Sequence, residues 1–339
     1  MKLTRRYGRR TAIVGSISYI PMLAAALSMS IEYPQRLEVP PVPFVIGVAM
    51  FCGMATILAT TGSRIIYGLR AEIREARQLG QYTLDGLIAE GGMGAVYRAH
   101  HALLRRPTAI KLLPPEKYGA DSVARFEREV QHMSQLTHPN TVAIYDYGRS
   151  PDGVFYYAME LLDGIDLEVL VHLDGPQPAA RVVHVLRQIC GALDEAHDRG
   201  LIHRDVKPAN VILCRRGSEP DVAKVLDFGL VADLDHGNDG GGPAVLGTPA
   251  YVAPEVITEP DRVGPASDLY ALGATAYFLL TGQRVFDGTS VAELCVQHVS
   301  AAPQPPSART DRPISPALER IVLQCLAKSP AARPPSAAS

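Results

Sequence analysis

Three side chains of different chemistry fall within six residues: Asp205, Lys207 and Asn210, in the run Leu201-Ile-His-Arg-Asp-Val-Lys-Pro-Ala-Asn-Val-Ile-Leu213. Apolar residues flank them on both sides, so one short loop between buried segments is expected to carry all three. Such a loop offers a base for a hydroxyl, a cation for a migrating phosphoryl group and a metal ligand. Seventeen residues after Asn210 comes Asp227-Phe-Gly229, following a strand-like stretch at 223–226. A carboxylate at a strand end, beside a permissive glycine, suits metal chelation.

Two upstream segments complete a nucleotide site. Ile88-Ala-Glu-Gly-Gly-Met-Gly-Ala-Val-Tyr97 lies between strand-like stretches. Its glycines, Gly91, Gly92 and Gly94, let backbone N–H groups approach phosphate oxygens with no Cβ in the way. Thr108-Ala-Ile-Lys111 puts a lysine on a strand, and Glu129 follows eighteen residues later in a helical stretch. A lysine held between a carboxylate and two phosphates is preorganised for a nucleotide. Each fragment alone reads equally well as a structural turn or a solvated strand lysine. Their joint occurrence in this order carries the inference.

The elements that would position these groups follow from patterning. Strand-like stretches at 82–88, 95–98 and 108–112 come first, then a helical stretch at 122–136, and beyond about residue 165 helical patterns dominate. A small β-rich lobe followed by a larger helical lobe is the expected order. Residues 235–243 (DHGNDGGGP) read as a flexible loop.

The chain has 339 residues and a net charge of −2, which argues against a general nucleic-acid binder. Its five cysteines (Cys52, Cys190, Cys214, Cys295, Cys325) form no C-x-x-C pair and suit a reducing compartment. Two stretches, 11–30 and 42–63, carry no charge. Twenty residues at about 1.5 Å each span the roughly 30 Å hydrocarbon core of a bilayer. Lys2, Arg5, Arg6, Arg9 and Arg10 precede the first stretch, and Arg64, Arg70, Arg74 and Arg77 follow the second, whereas the loop between them holds only Arg36. The bias of basic residues predicts a two-helix hairpin in the inner membrane with both ends cytoplasmic. A signal peptide cleaved near Ala24-Ala25-Ala26 and a pair of buried core helices are the alternative readings. Residues 64–79 read as a juxtamembrane helix striped by Ile65, Leu69, Ile73 and Ala76.

From residue 81 to the end the chain resembles the protein kinases, and its texture is similar to the eukaryotic-like (Hanks-type) bacterial serine/threonine kinases. His138-Pro-Asn140, Gly247-Thr-Pro-Ala-Tyr251 and Ala253-Pro-Glu255 add to the likeness, as do Asp268, Gly273 and Arg333, the last as partner of Glu255. The resemblance implies an α+β, bilobal protein-kinase fold over residues 80–339, preceded by the transmembrane hairpin at 1–63. It implies ATP and Mg²⁺, with Mn²⁺ as a substitute. Asp205 and Lys207 would be catalytic, and Asn210 and Asp227 would hold metal. Ile88, Ala89, Gly91, Gly92 and Gly94 would cover the phosphates. Lys111 would grip them while paired with Glu129. Val96, Ala109 and Ile212 would sandwich adenine beside Met159, with the backbone of Glu160 and Leu162 along its edge and Asp166 near the ribose. Thr248 would dock the substrate.

Partners implied are proteins with Ser or Thr acceptors and membrane lipid, with a homodimer left open. The chain departs from the family pattern at Ala89, where a glycine is usual. No Ser, Thr or Tyr occurs from Leu230 to Gly247, so activation-segment phosphorylation is not expected as a switch. The chain also stops six residues after Arg333, before the last helix of such a fold would be complete. A catalytically silent scaffold would lack one of Lys111, Asp205 or Asp227. A small-molecule kinase of related fold would lack Gly247-Thr-Pro and Ala253-Pro-Glu255. All are present. A receptor role is disfavoured because the loop between the two apolar stretches is too short to fold.

Overall fold

The structure is a computed structural model that describes residues 78–91, 94–113, 120–150, 153–228 and 248–339, with isolated positions 46, 50, 53 and 54. The chain divides into two units, 1–78 and 79–339. The expected spans 11–30 and 42–63 lie outside the described residues apart from those four helical positions. Among the described residues, no helix is long and apolar enough to cross a membrane.

Strands β1 (Gln78–Leu79), β2 (Tyr82–Gly91), β3 (Gly94–His101), β4 (Pro107–Leu113), β5 (Ile144–Arg149) and β6 (Phe155–Glu160) make a sheet of order β1-β2-β3-β4-β6-β5. Helix α1 (Ala120–Met133) follows β4. Expected strands and helix are present at nearly their expected places. Residues 78 and 79 are strand, so the helix expected over 64–79 does not include them; residues 64–77 lie outside the described ones. Leu79 is buried with Tyr82, Ala99, Ile110, Tyr156 and Ala158, and Gly80 turns the chain with a φ of +57°. That apolar anchor favours an extended backbone over a further helical turn.

Strand periodicity divides β6 between two cores. Tyr156 and Ala158 join the cluster just named, whereas Phe155, Tyr157 and Met159 face the main core with Val130 and Met133 of α1. On β4, Ala109 and Leu113 face that same main core, and Lys111 lies between them on the same face. Lys111 and Tyr157 are direct partners across the antiparallel β4–β6 pair.

The large lobe holds α2 (Leu167–Asp174), α3 (Ala179–Asp198), α4 (Pro254–Thr258), α5 (Pro265–Thr281), α6 (Val291–Ser300) and α7 (Pro316–Cys325). A second sheet, β7 (Gly164–Asp166), β8 (Val211–Arg216) and β9 (Glu219–Val225), lies in the order β7-β8-β9. Helix α5 is buried almost all round, as a helix without a polar face must be.

Candidate active site

The loop that carries Asp205, Lys207 and Asn210 is fixed by one buried carboxylate. Asp268, 1% exposed on α5, accepts the backbone N–H of His203 at 2.8 Å and of Arg204 at 2.8 Å, and bonds His197 Nε2 at 2.8 Å. These bonds hold Arg204 at a φ of +64°, a conformation a non-glycine residue adopts only when its surroundings impose it. The buried His203 ring bonds the Leu226 carbonyl through Nε2 at 2.8 Å and lies 4.6 Å from the Phe228 ring. The Leu226 N–H in turn donates to the Asn210 carbonyl at 2.9 Å. The segments of Asp205, Asn210 and Asp227, far apart in sequence, are thereby tied together.

Above this base the side chains form two groups. In the first, Lys207 Nζ lies 2.7 Å from Asp205 Oδ2 and donates to Thr248 Oγ1 at 2.7 Å, while Thr248 lies 3.4 Å from Asp205 Oδ1. Asn210 Nδ2 donates to the Asp205 carbonyl at 2.8 Å and to its Oδ2 at 2.9 Å, which turns the amide oxygen of Asn210 away from Asp205. In the second group, Lys111 Nζ donates to Asp227 Oδ2 at 2.7 Å and the Tyr157 hydroxyl donates to Asp227 Oδ1 at 2.6 Å. Burial alone would raise the Asp227 carboxyl, but the charge and hydrogen bond of Lys111 and the Tyr157 hydroxyl hold it below the usual range. Burial, together with the Asp227 charge, pushes the Tyr157 phenol well above its ordinary value.

Of the two acids expected near Lys111, Asp227 is the one in contact with its ammonium in this structure. Glu129 sits half-buried on α1. A buried cation is neutralised by the carboxylate it touches, and at 2.7 Å that is Asp227. Tyr157 was not anticipated. It sits in an apolar run that reads as core, and only the cross-strand pairing with Lys111 reveals it.

The remaining expected positions line the same region. Gly91 and Gly94 are opposed at the β2–β3 turn. Gly94 has a φ of +126°, and a Cβ there would meet the Leu112 carbonyl oxygen at 2.1 Å, so only glycine fits. Ile88 and Ala89 lie on β2, Val96 on β3, Ala109 on β4 and Ile212 on β8; Gly92 is outside the described residues. Ala109 is opposite Met159. The Glu160 N–H is already bonded to the Ala143 carbonyl at 2.9 Å, so at that residue only the carbonyl could serve an adenine edge. Leu162 is half-buried just past β6. Asp166 caps α2, accepting the Val169 N–H at 2.8 Å.

The donor set fits a hard divalent cation. Asp227 and the amide oxygen of Asn210 supply only oxygens, as Mg²⁺ requires. Among the described residues no group of three or more His, Cys, Asp or Glu could hold an ion by itself. Two protein ligands with phosphates completing the shell is the usual Mg²⁺ arrangement.

Elsewhere in the large lobe the expected pair is present: Arg333 meets Glu255 through two bonds of 2.6 and 2.8 Å. A strand lobe carrying a lysine over a helical lobe carrying this loop is the architecture of a protein-kinase-fold protein. The chain belongs to the protein kinase domain family, whose model matches residues 82–338. It is 40% identical over 265 residues to the serine/threonine-protein kinase pkn3 of Myxococcus xanthus, covering 76% of this chain and 48% of that protein. It is 40% identical over 264 residues to PknB of Mycobacterium tuberculosis, covering 76% and 41%. The chain thus spans less than half the length of these relatives. Among solved structures, the Mycobacterium tuberculosis PknI kinase domain matches at 30% identity and a TM-score of 0.59, covering 77% of this chain and 93% of that one. Rad53 1–466 in complex with AMP-PNP matches at 26% identity and a TM-score of 0.64, covering 76% and 63%.

Proposed function

We propose that this chain is a serine/threonine protein kinase that moves the γ-phosphoryl of ATP to a Ser or Thr hydroxyl of a protein. The observation that carries the reading is Lys207 Nζ, at 2.7 Å from both Asp205 Oδ2 and Thr248 Oγ1. One cation thereby joins a hydroxyl-directed base to the substrate-docking threonine. Asp205 orients the substrate hydroxyl and takes its proton as the oxygen bonds to the γ-phosphorus. The bond from that phosphorus to the β–γ bridging oxygen breaks, and ADP leaves. Lys207 neutralises the migrating group, and Lys111 grips the α- and β-phosphates. Asn210 and Asp227 hold Mg²⁺, or Mn²⁺ in its place, which when bound neutralises charge on the phosphate oxygens. The test is incubation of the purified chain with labelled ATP and Mg²⁺, followed by phosphoamino-acid analysis. Label on Ser or Thr supports the reading; no incorporation, or label on Tyr alone, refutes it.

The same proposal places residues 1–63 in the inner membrane with the catalytic unit cytoplasmic. It is supported by the uncharged stretches and their basic flanks, and by Ile46, Met50 and Met54, exposed and four residues apart on helical positions. A cysteine introduced at Gln35 in a Cys52→Ser background should react with an impermeant label in intact cells. Protection at that site with reaction at the N-terminus would reverse the topology.

A further inference from the structure

We propose that Tyr157 is a positioning residue for Asp227: its hydroxyl fixes the carboxylate in the orientation that takes the divalent cation. This rests on Asp227 being a metal ligand, as proposed above. Tyr157 is fully buried on β6, opposite Lys111. Its hydroxyl reaches Asp227 Oδ1 at 2.6 Å while Lys111 reaches Oδ2 at 2.7 Å. One donor on each oxygen opposes rotation of the carboxylate about its Cβ–Cγ bond. The 2.6 Å separation is that of a charge-assisted O–H···O⁻ bond.

Three features separate this contact from ordinary core filling. Phenylalanine would occupy the same apolar space, so the hydroxyl is needed only for a polar partner. Asp227 has a φ of +50°, and a side chain in that strained backbone is aimed by what holds it. Each carboxylate oxygen has two lone pairs, and one donor apiece leaves one on each for a cation. A second ammonium at this place would repel the incoming metal; a neutral phenol orients the ligand without adding charge.

The experiment titrates Mn²⁺ into the full chain with a non-hydrolysable ATP analogue present, reading free Mn²⁺ by electron paramagnetic resonance. Tyr157→Phe should weaken Mn²⁺ binding about tenfold, the scale of one hydrogen bond to a charged group. Binding of the analogue in EDTA should stay within twofold of the unmodified chain, which a general loosening of the site would not allow. Asp227→Asn should weaken Mn²⁺ binding further, and Tyr157→Phe should add nothing in that background. An Mn²⁺ affinity in Tyr157→Phe that is unchanged within twofold, or tighter, overturns the inference while leaving Asp227 as ligand. Full Mn²⁺ affinity in Asp227→Asn overturns both.

Discussion

Two clusters in this chain each set a buried cation against a carboxylate and are bonded in opposite ways. Within the large lobe, the five N–H donors of Arg333 all meet acceptors: Glu255 Oε1 and Oε2, and the carbonyls of Ala266, Ala327 and Lys328. Ser267 Oγ also donates to Glu255 Oε1 at 2.7 Å, and the guanidinium lies 5.0 Å from the Tyr270 ring centroid. Nothing in that cluster is left over for a ligand. In the cleft, the three N–H bonds of Lys111 meet one carboxylate, and the amide oxygen of Asn210 faces away from Asp205. A saturated cluster holds the fold together; a cluster with spare donors and acceptors at a cleft is equipped to bind.

The contrast breaks most sharply at Asp205. Asp205→Asn should lower kcat roughly a thousandfold, within the range of a lost general base, because the amide cannot take the hydroxyl proton. The melting temperature should move little, since the amide oxygen can still accept from Asn210 Nδ2 and the bond to the backbone carbonyl of residue 205 is kept. A variant that keeps a tenth of its turnover would remove Asp205 from the chemistry.

The opposite variant is Arg333→Ala. It leaves the Glu255 carboxylate buried and uncompensated, which costs about 3–5 kcal/mol. Burial alone would raise the Glu255 carboxyl; the Arg333 and Ser267 bonds hold it below the usual range, and that support would vanish. Urea unfolding should show the loss, and whatever folded fraction remains should still bind nucleotide. Full stability with lost nucleotide binding would invert the assignment of the two clusters.

Much of both clusters is legible in the sequence, because their residues sit in short motifs with fixed local offsets. Asp205, Lys207 and Asn210 occupy one loop, and the Arg333–Glu255 pair follows from family resemblance although 78 residues separate them. What the sequence hides is set by strand register and by competition among carboxylates. Tyr157 reads as one more aromatic of a buried strand, and its meaning depends on facing Lys111 across a pair 46 residues apart. The contact of Lys111 with Asp227, 116 residues away, is a matter of ångströms in the folded chain, which spacing cannot measure. The strand at Gln78–Leu79 replaces an expected helix end because the partners of Leu79 come from elsewhere in the sheet.

A smaller effect separates the clusters by pH. His298 is fully buried on α6 beside the Arg333 cluster, with Nδ1 bonded to the Tyr270 hydroxyl at 2.8 Å and the Phe286 ring 5.0 Å away. Lys328 Nζ donates to its carbonyl at 2.7 Å. Burial, with the Lys328 charge, pushes the imidazole from 6.5 down to about 4. A base with a depressed folded pKa binds fewer protons folded than unfolded, so stability is lost as pH falls through the interval from 6.5 towards 4. From pH 7 to pH 5 the loss is about 2 kcal/mol. Glu255 and Asp227, both held below the ordinary carboxylate range, cost stability only as pH approaches the unfolded carboxyl values of 4.5 and 3.8, so between pH 7 and pH 5 they add little to the slope. His298→Gln, which cannot titrate, should therefore flatten the urea stability profile between pH 7 and pH 5, at whatever absolute stability it has. An unchanged slope in that variant would move the acid sensitivity away from His298.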